Sequence, residues 1–127
     1  MAARVLVVED NAVDLEFVTV LLEQAGCQVL TAKTGEGGFL LAIEERPDLI
    51  LMDLRLPGMT GYEAIRQLKG NPATAGISIV AVTASVVGGD EDRAREAGAD
   101  AFLIKPLAAQ ILRATVRRLL LPSPTGD

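Results

Sequence analysis

The sequence predicts one α/β domain, a parallel sheet with helices packed on both faces. Short apolar runs that read as strands alternate five times with segments of helical periodicity along the 127 residues. That alternation marks a parallel sheet joined by crossover helices. The run Leu49-Ile50-Leu51-Met52 has no polar position, as a strand buried on both faces requires. A chain of this length buries about two thirds of the surface that its unfolded form exposes.

The first strand is Arg4-Val5-Leu6-Val7-Val8, and it runs directly into Glu9-Asp10-Asn11. Asn11 is placed to cap a helix over residues 12–25, because its side-chain oxygen can accept from an N–H of the first turn. Gly26 stands just past the helix end, where left-handed backbone is favoured. At roughly 100° per residue, Val13, Phe17, Val20 and Leu21 form one apolar stripe and Leu15, Val18 and Leu22 another beside it. That arc is wider than one sheet face covers, so part of it is expected to dock another protein.

Residues 28–31 read as the second strand and 35–45 as a helix with Phe39, Leu40 and Ile43 on its apolar side. Gly37-Gly38 should weaken that helix by about 1 kcal/mol each relative to alanine. The Leu49 strand ends in Asp53, and the turn Leu56-Pro57-Gly58-Met59-Thr60-Gly61 follows. Residues 62–69 form a helix with Ile65 and Leu68 inward, broken by Gly70-Asn71-Pro72. The fourth strand, 77–82, runs into Thr83-Ala84-Ser85, and Gly88-Gly89-Asp90 opens a charged helix over 91–97 that Gly98 stops. The fifth strand, Ala101-Phe102-Leu103-Ile104, runs into Lys105-Pro106. The last helix spans 107–121, with Leu107, Ile111, Leu112, Val116 and Leu119 or Leu120 apolar. The domain is therefore 1–121, and residues 122–127 are a short flexible tail without core-forming side chains.

Composition excludes several function classes. A net charge of −5 argues against a nucleic-acid surface. No apolar run approaches the roughly 20 residues of a membrane span. Met1-Ala2-Ala3-Arg4 leads straight into a strand, so no signal peptide is expected and the location expected is cytoplasmic. The single Cys27 reads as a buried thiol. The chain has no histidine, which excludes a Ser-His triad, a histidine metal site and a phosphohistidine on this chain.

In a parallel sheet the polar strand ends share one edge, which gathers Glu9, Asp10, Asp53, Thr83 and Lys105. Two carboxylates 4 Å apart repel by about 1 kcal/mol in water and by about 4 kcal/mol at an effective dielectric near 20. Such a cluster calls for cations. Lys105 supplies one charge, and an oxygen-only ligand set selects a hard divalent ion such as Mg2+. A hydroxyl and an ammonium beside that ion are what the oxygens of a phosphoryl group need.

These residues resemble the receiver domain of bacterial two-component response regulators. The resemblance runs from about Arg4 to Leu121. It rests on Val8-Glu9-Asp10, the stretch Leu51-Met52-Asp53-Leu54-Arg55-Leu56-Pro57-Gly58-Met59-Thr60-Gly61, Ala81-Val82-Thr83-Ala84 and Leu103-Ile104-Lys105-Pro106. It implies a flavodoxin-like fold with strand order 2-1-3-4-5, an order that general accounts of doubly wound sheets illustrate with a receiver protein. It implies Asp53 as phosphoacceptor. It implies Asp10 and Asp53 as direct Mg2+ ligands, Glu9 acting through water, and the Arg55 carbonyl as a further ligand. Thr83 and Lys105 become the phosphoryl contacts, and Thr83 and Phe102 the switch, in which Thr83 moves toward the phosphoryl oxygen and Phe102, at the switching aromatic without the hydroxyl of the more usual tyrosine, turns inward. Arg55 and Ser85, two residues beyond Asp53 and Thr83, would tune the lifetime of the phosphoryl group. The Lys105–Pro106 peptide is expected to be cis.

The implied partners are a histidine kinase or phosphotransfer protein and a downstream protein target. Kinase contacts would come from Asn11, Ala12, Leu15 and Val18 or Leu22, and the same surface can pair two copies as a homodimer. Such a chain is a phosphoacceptor that assists its own phosphorylation and dephosphorylation, rather than an enzyme. A haloacid-dehalogenase-like phosphatase would need a second Asp two residues after the first as general acid, and that position is Arg55. An acidic pocket with one Tyr and no Trp disfavours flavin. Within the family, the expected reading is a stand-alone, single-domain regulator acting through protein contact, set against a receiver module cut from a larger regulator or hybrid kinase.

Overall fold

A computed structural model describes residues 2–84 and 88–120. Its strands are β1 (Arg4–Val8), β2 (Gln28–Ala32), β3 (Leu49–Asp53), β4 (Ser78–Thr83) and β5 (Ala101–Ile104). Its helices are α1 (Ala12–Gln24), α2 (Gly35–Glu45), α3 (Gly61–Gly70), α4 (Asp90–Ala97) and α5 (Ala109–Leu120). The strands form one parallel sheet in the order β2-β1-β3-β4-β5, the flavodoxin-like order that the resemblance implied. Ser85 and the proposed tail lie outside the described residues.

Strand alternation divides the core in two, because successive side chains point to opposite faces. Leu6, Val8, Ile50 and Met52 face Ala42 of α2, Ile65 and Leu68 of α3 and Ala94 of α4. Val5, Val7, Leu49 and Leu51 face Val18 and Leu22 of α1 and Leu112 and Val116 of α5. All five residues of β3 are buried, as expected of the central strand.

The chain breaks where its capping residues stand. Asn11 caps α1 by accepting from the Asp14 N–H at 3.0 Å, and Gly26 carries a φ of 88°. Thr60 and Glu63 form a capping box at α3, a spacing that sequence reading had available and did not use. The Lys105–Pro106 peptide is cis.

Packing overrides propensity in α2. A Cβ on Gly38 would lie 2.6 Å from Val8 Cγ2, so the glycine that lowers helix propensity is what lets α2 approach β1. Other expectations shift with helix phase. Ile111 and Leu40 are exposed rather than core-facing, since Leu112 with Val116, and Gly38 with Ala42, already fill the buried sides of their helices. Leu107 is buried but precedes α5. Cys27 is only partly buried, and burial pushes its thiol pKa up.

Candidate functional site

The parallel register places the carboxyl ends of the strands along one edge. Met52 pairs with Val8 and Asp53 with Val82, so Glu9, Asp53 and Thr83 emerge side by side. The Lys105 N–H donates to the Thr83 carbonyl at 2.8 Å, which fixes where the lysine leaves β5. Asp53 and Glu9 are 5% and 4% exposed, buried enough that both need partners, whereas Asp10 is exposed.

Those partners are present. Asp53 Oδ1 accepts from the Arg55 backbone N–H at 2.9 Å, and Oδ2 accepts from Lys105 Nζ at 3.3 Å. Glu9 Oε2 accepts from the Asn11 N–H at 3.0 Å, and its Oε1 pairs closely with Lys105 Nζ. Burial and the neighbouring Asp53 charge push the Glu9 pKa up, against the lowering effect of Lys105. Burial pulls Lys105 down, but Glu9, Asp14 and Asp53 outweigh it and hold the ammonium well above the ordinary lysine value.

Glu9, Asp10 and Asp53 each present a carboxylate oxygen within 4.8 Å of the others. Clustered oxygen donors of this kind suit a hard divalent cation that keeps part of its water shell. Thr83 closes the edge as the buried last residue of β4. Phe102 sits half-buried on β5 against the core under α2, α3 and α4.

Two acids at or near this edge escaped the sequence reading. Asp14 Oδ2 accepts from Lys105 Nζ at 2.9 Å; its position one helical turn after Asp10 was the available signal. Asp90 begins α4 and is buried, and nothing in the sequence announces that. The Arg55 guanidinium is turned to Asp90, with Nη2 3.0 Å from Oδ2, while only its backbone N–H touches Asp53. On α1, Val18 and Leu22 are core residues and Leu15 is partly buried. The apolar surface left for contact is instead Val13, 76% exposed, with Phe17 at 47% and Val20.

Residues 5–117 match a sequence model described as the response regulator receiver domain. The chain is 36% identical over 120 residues to the polar-differentiation response regulator DivK of Brucella anthropi, covering 94% of this chain and 98% of that one. It is also 36% identical to the protein PilH of Pseudomonas aeruginosa, covering 93% and 98%. Among solved structures it resembles the receiver domain of the sensor histidine kinase PA1611 from Pseudomonas aeruginosa, described with a magnesium ion coordinated in the active site cleft. That likeness has a TM-score of 0.88 and 31% identity, and it covers 94% and 98% of the two chains. The chemotaxis protein CheY4 of Vibrio cholerae has a TM-score of 0.88 at 28% identity, covering 94% and 100%.

Proposed function

This chain belongs to the response regulator receiver domain family, and from that membership we propose that Asp53 is its phosphoacceptor, with Lys105 and Thr83 as phosphoryl contacts. The observation that carries the reading is the Asp53 carboxylate itself. It is buried at the end of the central strand, oriented by the Arg55 N–H and faced by Lys105. In the reaction an Asp53 oxygen forms a bond to phosphorus as the phosphorus–nitrogen bond of a donor phosphohistidine breaks, and the leaving imidazole keeps the electron pair. Hydrolysis reverses the modification when water attacks phosphorus and the carboxylate leaves.

Glu9, Asp10 and Asp53 would hold Mg2+, with the Arg55 carbonyl as a further ligand. Bound there, the ion neutralises charge that builds on the phosphoryl oxygens. Lys105 would supply a fixed ammonium to the phosphoryl oxygens, held in place by Glu9 and Asp14. Incubation with acetyl phosphate and Mg2+ should add one phosphate by intact mass. Asp53→Asn should take none, and excess chelator should suppress labelling of the wild type. Label retained in Asp53→Asn would move the phosphoacceptor elsewhere.

The partners in this reading are a histidine kinase or phosphotransfer protein and a downstream protein, met in the cytoplasm. No helix among the described residues is long and apolar enough to cross a membrane. The match to nearly the whole length of DivK and PilH supports a regulator that acts through protein contact. The exposed Val13, Phe17 and Val20 of α1 would form the kinase-docking face. Phe17→Glu should slow phosphotransfer from the kinase and leave acetyl phosphate labelling unchanged, because the acidic edge is untouched. Equal slowing of both reactions would count against docking there. Loss of a concentration-dependent dimer in sedimentation would assign the face to a second copy.

A further inference from the structure

The acidic edge has a neighbour that the phosphoacceptor chemistry does not use. Asp90, 3% exposed, accepts from the Tyr62 hydroxyl at 2.7 Å and from Arg55 Nη2 at 3.0 Å. Arg93 stands 4.0 Å from the same carboxylate and stacks 4.2 Å over the Tyr62 ring. Asp90 is the first residue of α4, directly after the cap residue Gly89, which has no side chain to bond the helix start. The Asp90 carboxylate reaches Tyr62 on α3 and Arg55 in the loop after β3, besides Arg93 on α4 itself. Burial, then the bond to Asp90, pushes the Tyr62 hydroxyl pKa up, as expected for a phenol held against a carboxylate.

Arg55 thereby links two anionic positions. Its backbone N–H is bonded to Asp53, and its half-exposed guanidinium is held by Asp90. A phosphoryl group on Asp53 would bring about −2 charge and three acceptor oxygens, against the single charge of the Asp90 carboxylate, to the forked donors of the guanidinium. We propose that Asp90 is a positioning residue that holds Arg55 away from Asp53, and that phosphorylation draws the guanidinium from Asp90 to the phosphoryl oxygens. Two consequences follow from the geometry. Arg55 lying over the acyl phosphate covers the approach of water, so the strength of the Asp90 contact sets the lifetime of the phosphorylated state. The start of α4 loses an ion-pair partner whenever Asp53 is modified, which carries the signal to α4 beside any movement of Thr83 and Phe102.

This inference rests on Asp53 as phosphoacceptor, and the experiment separates the two. Phosphate on Asp53 is followed by intact mass after the donor is removed, in wild type, Asp90→Asn, Arg55→Ala and the double variant. Asn keeps the shape of Asp90 and an acceptor for Tyr62 while removing the charge that holds Arg55. Asp90→Asn should lengthen the lifetime by about two- to fivefold, the range set by the strength of a half-exposed ion pair. Arg55→Ala should shorten it, and in the Arg55→Ala background Asp90→Asn should change nothing. No phosphate on wild-type Asp53 removes the phosphoacceptor reading and this inference with it. Phosphate on Asp53 with equal Asp90→Asn effects in both backgrounds, or none, overturns the inference alone.

A second measurement needs no change at Asp90. Tyr62 is the one tyrosine in a chain without tryptophan, so its fluorescence reports its own hydrogen bond. Beryllofluoride, as a phosphoryl analogue, should shift that emission in wild type and leave it unchanged in Arg55→Ala. An equal shift in both proteins overturns the exchange of partners.

Discussion

Gly61→Ala is expected to cost at least about 3 kcal/mol of stability, the upper end of what overpacking a core does. A Cβ there would stand 2.2 Å from the Asp53 carbonyl oxygen and 2.6 Å from Leu54 Cα. Both are backbone atoms, so no side chain can turn away. Relief requires α3 to move off the end of β3, which strains the Gly61 N–H bond to the Leu54 carbonyl and withdraws Tyr62, Ile65 and Leu68 from the core. Against a total stability of about 5–15 kcal/mol, such a loss is large. Gly70→Ala, at the other end of the same helix, meets nothing within 4 Å and should leave the urea midpoint nearly unchanged. Equal midpoints for the two variants would mean that the close approach of α3 to β3 is not what Gly61 provides. Because the clash falls on the Asp53 peptide, Gly61→Ala should also slow labelling by acetyl phosphate.

Lys105→Ala should destabilise the chain by about 3 kcal/mol in chelator, because it leaves charges of a largely buried cluster unpaired. The ammonium contacts Glu9, Asp14 and Asp53 together. Glu9 already has its pKa raised, by burial first, and loses a bond that holds it down. A carboxyl with a raised folded pKa binds its proton more tightly when folded, so its ionisation lowers stability as pH rises through that value. The gap between wild type and Lys105→Ala should therefore be widest above the raised Glu9 pKa. It should narrow as pH falls toward the ordinary value of 4.5. Mg2+ should restore part of the loss, about 2.7 kcal/mol at a hundredfold excess over Kd. Urea titrations at two pH values, each with Mg2+ and with chelator, check this. A variant whose stability responds to neither pH nor Mg2+ would show that Lys105 does not balance the carboxylates.

Most of the fold was legible because a parallel α/β chain writes its order locally. The all-apolar Leu49-Ile50-Leu51-Met52, the cap at Asn11 and the stop at Gly26 each act within a few residues. Parallel strands then bring Glu9, Asp53, Thr83 and Lys105 to one edge whatever the side-chain details. The surplus of apolar surface on α1 was legible too, as a count of positions around a helix.

What lay beyond the sequence depends on distances between elements. Which α1 side chains remain uncovered follows from the rotation of the helix on the sheet, and that rotation buries Val18 and Leu22 and exposes Val13 and Phe17. Gly38 reads as a weak helix position until Val8 is seen against it, and Gly61 as one more turn glycine until Asp53 is. Asp14 joins the Lys105 cluster across 91 residues of sequence, and Arg55 meets Asp90 across 35. Backbone periodicity and strand direction are local properties, so the sequence by itself determined the parallel sheet and the edge where the chemistry gathers, while its order was legible only through the family resemblance. Charge pairing and close approach are properties of the space between elements, so only the tertiary structure decided which partner each charged side chain holds.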